Sequence, residues 1–88
     1  AKEQQEAANR AQERQKAASC ERYGKAAVAD NNANIKERCA FTGAAWHSNY
    51  AAHYNWCMTG ENWQKFAPAE EDARQARLAQ CRKPIILR

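Results

Sequence analysis

Four cysteines constrain this chain more than any other feature, because it has few other means of holding a core together. They are even in number and widely spaced, at Cys20, Cys39, Cys57 and Cys81. None belongs to a C-x-x-C pair, which is typical of zinc ribbons, redox sites and haem attachment. Of the 88 residues, 20 are alanine and only 15 are larger apolar or aromatic residues, so the core is thin. The pattern predicts two disulfides, each worth about 3 kcal/mol through loop closure.

The same cysteines predict an oxidising compartment, because disulfides persist in the periplasm, at the cell surface and outside the cell. The chain begins at Ala1 with a polar stretch, as an exported protein does once its signal peptide is removed. Its longest run of large apolar residues, Ile85-Ile86-Leu87, is far too short to span a bilayer. We therefore expect a periplasmic or extracellular protein without a transmembrane span, either soluble or attached peripherally.

Residues 1–19 differ in composition from the rest of the chain. They are rich in Ala, Gln, Glu, Lys and Arg, which favour helix, and they contain no Gly, no Pro and no large apolar residue. A helix of this composition has no apolar face to bury against its own domain. We predict a solvated helical extension, which serves either as a spacer or as an arm that docks on a partner.

The helix is predicted to continue through residues 20–39. At 100° per residue, seven residues of this stretch fall within one arc of about 120°, with a cysteine near each end of the stretch. Gly24 lies on this face, where the missing side chain leaves room for a bulky Trp or Tyr, since Gly is otherwise costly in the middle of a helix. The predicted inward residues are Cys20, Gly24, Ala27, Val28, Asn31, Ile35 and Cys39.

Two further helices are predicted after a turn at Gly43. Over about residues 44–58, aromatic and cysteine residues recur at spacings of three and four, as in the core stripe of an amphipathic helix: Trp46, Tyr50, His53 or Tyr54, and Cys57. Residues 59–67 are expected to form a loop. Pro68 opens a third helix at a position where its missing N–H costs nothing. Pro84 ends that helix, which leaves residues 84–88 as an apolar and basic tail on a domain over residues 20–83.

The order of these helices favours one of the three pairings that four cysteines allow. In an up-down-up bundle, Cys39 lies at the first turn and Cys57 at the far end of the second helix. The third helix then brings Cys81 level with the first turn. Cys20 lies about 28 Å along the first helix from Cys39, so Cys20–Cys57 and Cys39–Cys81 can each meet. We predict an all-α, disulfide-stapled three-helix up-down-up bundle with a long polar N-terminal helical extension.

The middle of the chain carries a spaced pattern of aromatic and cysteine residues: Cys39, Phe41, Gly43 and Trp46, then Tyr50, then His53, Trp56 and Cys57. This pattern resembles C-x-F-x-G-P-x-W, an aromatic residue and H-x-x-W-C in a bacterial exported module of no established activity. Upstream, Cys20, Tyr23, Ala27 and Val28 also resemble that module, as does Cys81 downstream, so the resemblance covers residues 20–81. Ala44 stands where the module has Pro, and both residues suit the first turn of a helix. The resemblance implies a disulfide framework and an exported address, and it implies no catalytic residue.

No catalytic constellation is present in the sequence. The neighbours His47 and Ser48 diverge on a helix, and there is no G-x-S-x-G elbow or Gly-rich phosphate loop. His53 and Cys57 lie four residues apart on one helix face, a spacing that suits a metal pair. We favour the alternative that Cys57 is in a disulfide and that His53 packs at the core edge. The sequence therefore predicts no enzymatic activity, no cofactor and, only as a weaker alternative, a metal site at His53 and Cys57.

Aromatic residues are concentrated in one stretch, since seven of the eight lie between Phe41 and Phe66. Trp56 and Trp63 fit the predicted core stripe least well. If they are exposed beside nearby amides, they form a platform on which a sugar ring stacks, or a hot spot for a protein partner. The alternative is that a thin, Ala-rich core needs large rings to fill it, and both interpretations stay open.

These observations favour a non-enzymatic structural or interaction module of a bacterial envelope or extracellular assembly. Its attachment points to a protein partner are predicted to be the polar extension and the tail residues Ile85, Ile86 and Leu87. A carbohydrate-binding module for cell-wall glycan, acting through Trp56 and Trp63, is the second hypothesis, and a metal-binding protein is the third. Nucleic acid is not expected as a partner, because basic and aromatic residues do not interleave in a recognised module.

Overall fold

The computed structural model describes residues 2–83, and the regular structure in this range is helical. The prediction of an all-α fold is confirmed. The predicted tail at residues 84–88, with Ile85, Ile86 and Leu87, lies outside the described residues. No helix in the described range is both long and apolar enough to cross a membrane. The helices are α1 Lys2–Lys36, α2 Tyr50–Met58, α3 Asn62–Lys65 and α4 Ala67–Arg82.

Both disulfides are formed with the predicted pairing. Cys20 is bonded to Cys57, with their Cα atoms 5.5 Å apart, and Cys39 is bonded to Cys81, with their Cα atoms 5.8 Å apart. The first bond fastens α2 to the middle of α1. The second fastens the chain just beyond α1 to the last turn of α4. Both α2 and α4 pack on α1, and α3 contacts all three of these helices. α1 is therefore the centre of the arrangement.

Two helix boundaries differ from the prediction. α1 ends at Lys36, because Arg38 takes a positive φ of 56° that stops the helix. The second helix begins at Tyr50 rather than near residue 44, because Asn49 caps it: the Asn49 side chain accepts a hydrogen bond from the Ala52 N–H at 3.1 Å. Residues 38–49 are therefore irregular, and we call them the linking segment. The loop predicted over residues 59–67 contains α3, and the up-down-up order of the three longer helices stays a prediction.

The buried face of α1 is rotated by about 60° from the predicted arc. Ile35, which was predicted to point inward, is 66% exposed, so that prediction is wrong. The reason is that polar residues, which an apolar pattern does not detect, occupy the interior on one flank of this face. The buried residues of α1 are Cys20, Tyr23, Gly24, Ala27, Asp30, Asn31 and Asn34.

Gly24 makes the close contact that the sequence predicts. A Cβ atom at this position would lie 2.7 Å from Cε1 and 2.9 Å from Cδ1 of Tyr50, well inside van der Waals contact. The Tyr50 ring therefore occupies the space where a side chain would be. The contact seats the first turn of α2 directly on the backbone of α1.

The core is small and lies around the first disulfide. Cys20, Tyr23, Cys57 and Ala67 are buried, with Tyr54, Trp56, Met58 and Trp63 half-buried against them. By contrast, residues 2–15 of α1 are exposed throughout, and we call them the arm. The molecule measures 69 × 24 × 15 Å, so the arm extends well beyond the body that the disulfides hold together.

Candidate functional site

A buried side chain holds the linking segment in its irregular conformation. Arg38 and Ala40 have positive φ values of 56° and 64°, a region that costs a residue other than Gly about 1 kcal/mol or more. Asn34, on α1, offsets this cost. Its Nδ2 donates to the Phe41 carbonyl at 2.8 Å, and its Oδ1 accepts from the Phe41 N–H at 2.9 Å. Asn34 is 4% exposed, so its end of both hydrogen bonds is buried.

The linking segment is also fastened near each end. Asn31 donates through Nδ2 to the Ser48 hydroxyl at 3.0 Å, and that hydroxyl donates to Asn32 Oδ1 at 3.0 Å. At the other end, Cys39 is bonded to Cys81 in α4. The segment is therefore fixed at three places, which holds its side chains in position relative to α1 and α4.

A cavity of about 510 Å³ lies between the linking segment and α4, and we call it the loop cavity. Phe41 and Trp46 form an aromatic pair in its wall, with ring centroids 4.7 Å apart and planes at 35°. The Arg77 guanidinium lies over the Phe41 ring, 5.7 Å from its centroid, in a cation–π arrangement. The volume falls in the range of small-molecule sites. The other lining residues are Ala40, Thr42, Ala44, Ala45, Glu70, Ala73 and Arg74.

Arg74 belongs to this wall and is also the centre of a buried ionic cluster. It is 2% exposed; its Nε donates to Asp30 Oδ2 at 3.2 Å, and its Nη2 donates to Glu71 Oε1 at 3.2 Å. Gln75 Nε2 donates to both carboxylates, at 2.6 Å to Asp30 and 3.2 Å to Glu71. The guanidinium carbon also lies 5.0 Å from the centroid of the Tyr23 ring. The cluster joins α1 to α4 inside the protein.

Two carboxylates beside one cation change the proton equilibrium of Glu71. Burial, and then the neighbouring Asp30 carboxylate, raise the pKa of Glu71 to about 7, against the opposing effect of Arg74. Burial likewise raises the pKa of the Tyr23 hydroxyl. Near neutral pH the cluster therefore exchanges a proton at Glu71, while Arg74 stays charged.

A second cavity, of about 270 Å³, adjoins the first and shares Glu70 and Arg74 in its wall; we call it the histidine cavity. His47 and His53 stack there, with ring centroids 3.9 Å apart and planes at 6°. His53 Nε2 lies 2.8 Å from the His47 carbonyl oxygen, which only accepts, so Nε2 carries the proton. Burial lowers the pKa of His53, although the hydrogen bond to the His47 carbonyl acts in the opposite direction.

The two tryptophans predicted to bind a ligand line different cavities. Trp56 lines the histidine cavity, with its ring centroid 5.4 Å from that of Tyr23. Trp63 lines a largely apolar cavity of about 300 Å³ beside Cys57 and Glu71. Both rings are half-buried and pack against the core, so they do not share one exposed platform. A role for either residue in binding stays a prediction.

The alternative of a metal site at His53 and Cys57 lacks one of its ligands. The Cys57 sulfur is bonded to Cys20, so it is not a thiolate, and His53 Nε2 is hydrogen-bonded to a carbonyl. Over residues 2–83, no three or more His, Cys, Asp or Glu side chains come together as a metal site requires.

The α4 residues that line the loop cavity were not among the residues predicted from the sequence. Glu70, Arg74 and Arg77 have the spacing of ordinary charges on a solvated helix. Arg74 is buried only because Asp30 faces it from α1, 44 positions away in the chain. One signal was available, since Asp30 and Asn34 lie one turn apart on the flank of the inward face of α1. Two polar residues at such positions indicate buried partners on another element.

Comparisons with protein-family models, with curated proteins and with solved structures found no match for this chain. The functional inference therefore depends on the geometry and chemistry of the chain itself.

Proposed function

We propose that the protein is a non-enzymatic interaction module of a bacterial envelope or extracellular assembly, and that it docks a protein partner along its arm. One observation carries this proposal. Residues 2–15 are exposed throughout, although they belong to one helix that continues into the disulfide-linked body. α1 has 35 residues and is therefore about 52 Å long, and only its second half takes part in the core.

The arm buries nothing in its own domain, so core stability does not account for it. Isolated helices shorter than about 12–15 residues are marginal in water, because the first turn is costly to form. Here the body supplies that first turn, and each residue of the arm only extends an existing helix. The arm is thus ordered before it meets a partner. Such preorganisation lowers the entropy lost on docking, which suits a projecting binding element.

The charge of the arm favours a protein as the partner. Residues 2–15 contain three basic residues (Lys2, Arg10 and Arg14) and three acidic ones (Glu3, Glu6 and Glu13). Since the charges balance, the arm has no net attraction for a nucleic-acid backbone or an anionic membrane surface. Interleaved charges with alanines between them suit a helix that packs closely on a protein surface of mixed charge.

The exported address in this proposal rests on the cysteines. All four are paired in disulfides, which persist in the periplasm and outside the cell and are rare in the cytosol. The resemblance of the cysteine and aromatic spacing to a bacterial exported module supports the same address.

Site-specific photocrosslinking in the native host tests the docking. A photoreactive amino acid is placed at the arm positions Ala8 and Ala11, and at the exposed body positions Ala51 and Ala79 as matched controls. We expect one partner protein of defined mass to be captured from the arm and not from the body. Co-expression of the unlabelled full chain should reduce that adduct by competition, whereas co-expression of a chain that lacks residues 2–14 but keeps both disulfides should not. Capture from the body alone, or no adduct from either arm position, would refute the proposal.

A further inference from the structure

The loop cavity carries binding chemistry that the docking arm does not use. Its wall combines the Phe41–Trp46 aromatic pair with charged groups from α4, and small residues form the rest of the wall. We propose that this cavity binds a neutral saccharide of about two rings. Trp46 stacks on the sugar face, with Phe41 packed behind it, and Glu70 and Arg77 form hydrogen bonds with the sugar hydroxyl groups.

The charges of the cavity favour a neutral ligand rich in hydroxyl groups. Arg74 is paired inside the protein with Asp30 and Glu71, which leaves Glu70 and Arg77 as one acid and one base in the wall. Their charges cancel, so neither an anion nor a cation is strongly attracted. A carboxylate only accepts hydrogen bonds and a guanidinium only donates them, whereas a hydroxyl does both. The hydroxyl groups of one ligand can therefore donate to Glu70 at one end of the cavity and accept from Arg77 at the other.

The spacing of these groups favours two linked rings over one. Glu70 and Arg77 are seven positions apart on α4, so they lie on one face two turns apart, a distance of about 10 Å. Arg77 lies over Phe41, which places the aromatic pair at the Arg77 end. Glu70 lines both cavities, so its end opens towards His47. One ring stacks at the aromatic end, and the next reaches the carboxylate.

The wall is held in position before any ligand arrives. Three attachments fix the linking segment, and two of its residues other than Gly adopt positive φ, a strain that clusters at ligand clamps in other proteins. Because no loop has to be ordered on binding, little of the interaction energy is lost. Arg74, which also lines the cavity, is held in place by its hydrogen bonds to Asp30 and Glu71.

Titration of the full ¹⁵N-labelled chain with neutral disaccharides tests this site by NMR. The probes are cellobiose, maltose and N,N′-diacetylchitobiose. The chain has three Trp residues, so it gives three indole signals, and Trp46→Phe assigns one of them. We expect saturable shifts of the Trp46 indole and of amides in the linking segment and the first half of α4, with at least one of the three probes.

Three variants separate a specific site from a general sugar effect. Glu70→Gln keeps a polar group of the same size, and Arg77→Gln keeps a shorter polar group. Both remove the charge that strengthens each hydrogen bond, and each should weaken binding about tenfold or more. Asp72→Asn, at an exposed position of α4 outside the cavity, is the matched control and should leave the Kd within about twofold. Far-UV circular dichroism verifies that each variant is folded.

Several results would overturn the proposal. These are an absence of saturable shifts with all three probes, wild-type binding by both Gln variants, or shifts centred on the Trp56 or Trp63 indoles. Tight binding of phenylacetate or phenylalanine amide without saccharide binding would also overturn it, because the cavity would then select charge. The inference is independent of the arm: deletion of residues 2–14 should leave saccharide binding unchanged, so either proposal can fail alone.

Discussion

Replacing Gly24 with Ala tests whether the Tyr50 ring sets the position of α2 on α1. At an exposed position in a helix, this change stabilises a protein by about 1 kcal/mol, because Ala has the higher helix propensity. At Gly24 the new Cβ would meet Tyr50 Cε1 at 2.7 Å and Cδ1 at 2.9 Å. Overpacking of this kind costs about 1–3 kcal/mol. Tyr50 is 38% exposed and can swing outward, which keeps the cost in the lower part of that range.

The gain in helix propensity and the cost of overpacking oppose each other. The residue at position 50 therefore decides whether Gly24→Ala raises or lowers the free energy of unfolding. In the wild type we expect Gly24→Ala to leave the free energy of unfolding unchanged or to lower it by about 1 kcal/mol. In a Tyr50→Ala background the clash is absent, and the same change should raise the free energy of unfolding by about 1 kcal/mol. The coupling energy of the double-mutant cycle is then about 1–2 kcal/mol.

Urea unfolding followed by far-UV circular dichroism, with both disulfides intact, measures all four chains of the cycle. Ala29→Gly, at an exposed position of α1, calibrates the Ala–Gly difference in the same helix. If Gly24→Ala stabilises the wild type by as much as this calibration implies, the ring does not occupy the site in solution. A coupling energy of zero would refute the contact in the same way.

Three further changes, each measured by urea unfolding, test the hydrogen bonds from Asn34 to the linking segment and the buried ionic cluster. Asn34→Ala leaves two backbone groups of the linking segment unpaired and should cost about 2–3 kcal/mol; faster amide exchange should be confined to that segment. Arg74→Met leaves a buried carboxylate without its cation and should cost about 3–5 kcal/mol. Arg82→Gln removes the exposed ion pair between Arg82 and Glu37 and should cost far less, so equal losses would contradict the burial. The pKa of Glu71 is about 7 in the folded chain, against an ordinary value of 4.5, so the folded chain binds this proton more tightly than the unfolded chain does. Protonation of Glu71 therefore stabilises the fold fully below pH 4.5, and this stabilisation is lost as the pH rises through 7. The Glu71→Gln chain should be more stable than the wild type at pH 8, and its free energy of unfolding should change less between pH 4.5 and 7. Because His53 is present in both chains, an equal change of the free energy of unfolding with pH in the two would contradict the assignment of this proton to Glu71.

The disulfide pairing could be predicted from the sequence because it depends on helix order and rise, not on exact boundaries. The second helix begins at Tyr50, about six residues later than predicted, yet Cys57 still lies in its last turn. Cys20 lies in α1 and Cys39 just beyond its end, and a continuous helix between them keeps the two cysteines too far apart to meet. A prediction that uses long distances along a helix therefore tolerates local errors.

The linking segment could not be predicted, because distant side chains determine its conformation. Ala44 and Ala45 favour helix by propensity, and a Gly before them suggested a simple turn. Hydrogen bonds from Asn31 and Asn34 on α1 hold this stretch in an irregular path instead, and Asn49 delays the helix start. These partners are fixed only once α1 and the segment pack together, and a local pattern carries no information about that step.

The buried polar flank of α1 could not be predicted from a helical wheel for the same reason. A wheel assigns the inside to apolar residues, whereas Asp30 and Asn34 are buried because each finds its hydrogen-bond partners on another part of the chain. Ile35 lies on the opposite flank of this face and is 66% exposed. In a domain with so few large apolar residues, polar contacts decide which way a helix faces.

Disulfides and buried polar contacts therefore hold the body together more than the burial of large apolar residues does. This bears on whether the arm and the loop cavity affect each other. Coupling between the arm and the loop cavity would need an element with two stable arrangements that both sites bias. α1 has no Gly or Pro before Gly24 and passes directly from the arm into the core, where the Cys20–Cys57 bond and the Tyr50 ring hold it. Beyond that point, the Asp30–Arg74 pair and the Cys39–Cys81 bond fix α1 to α4 and to the linking segment. A partner on the arm therefore meets a body that is fastened at each of these points, and we expect docking and saccharide binding to be thermodynamically independent.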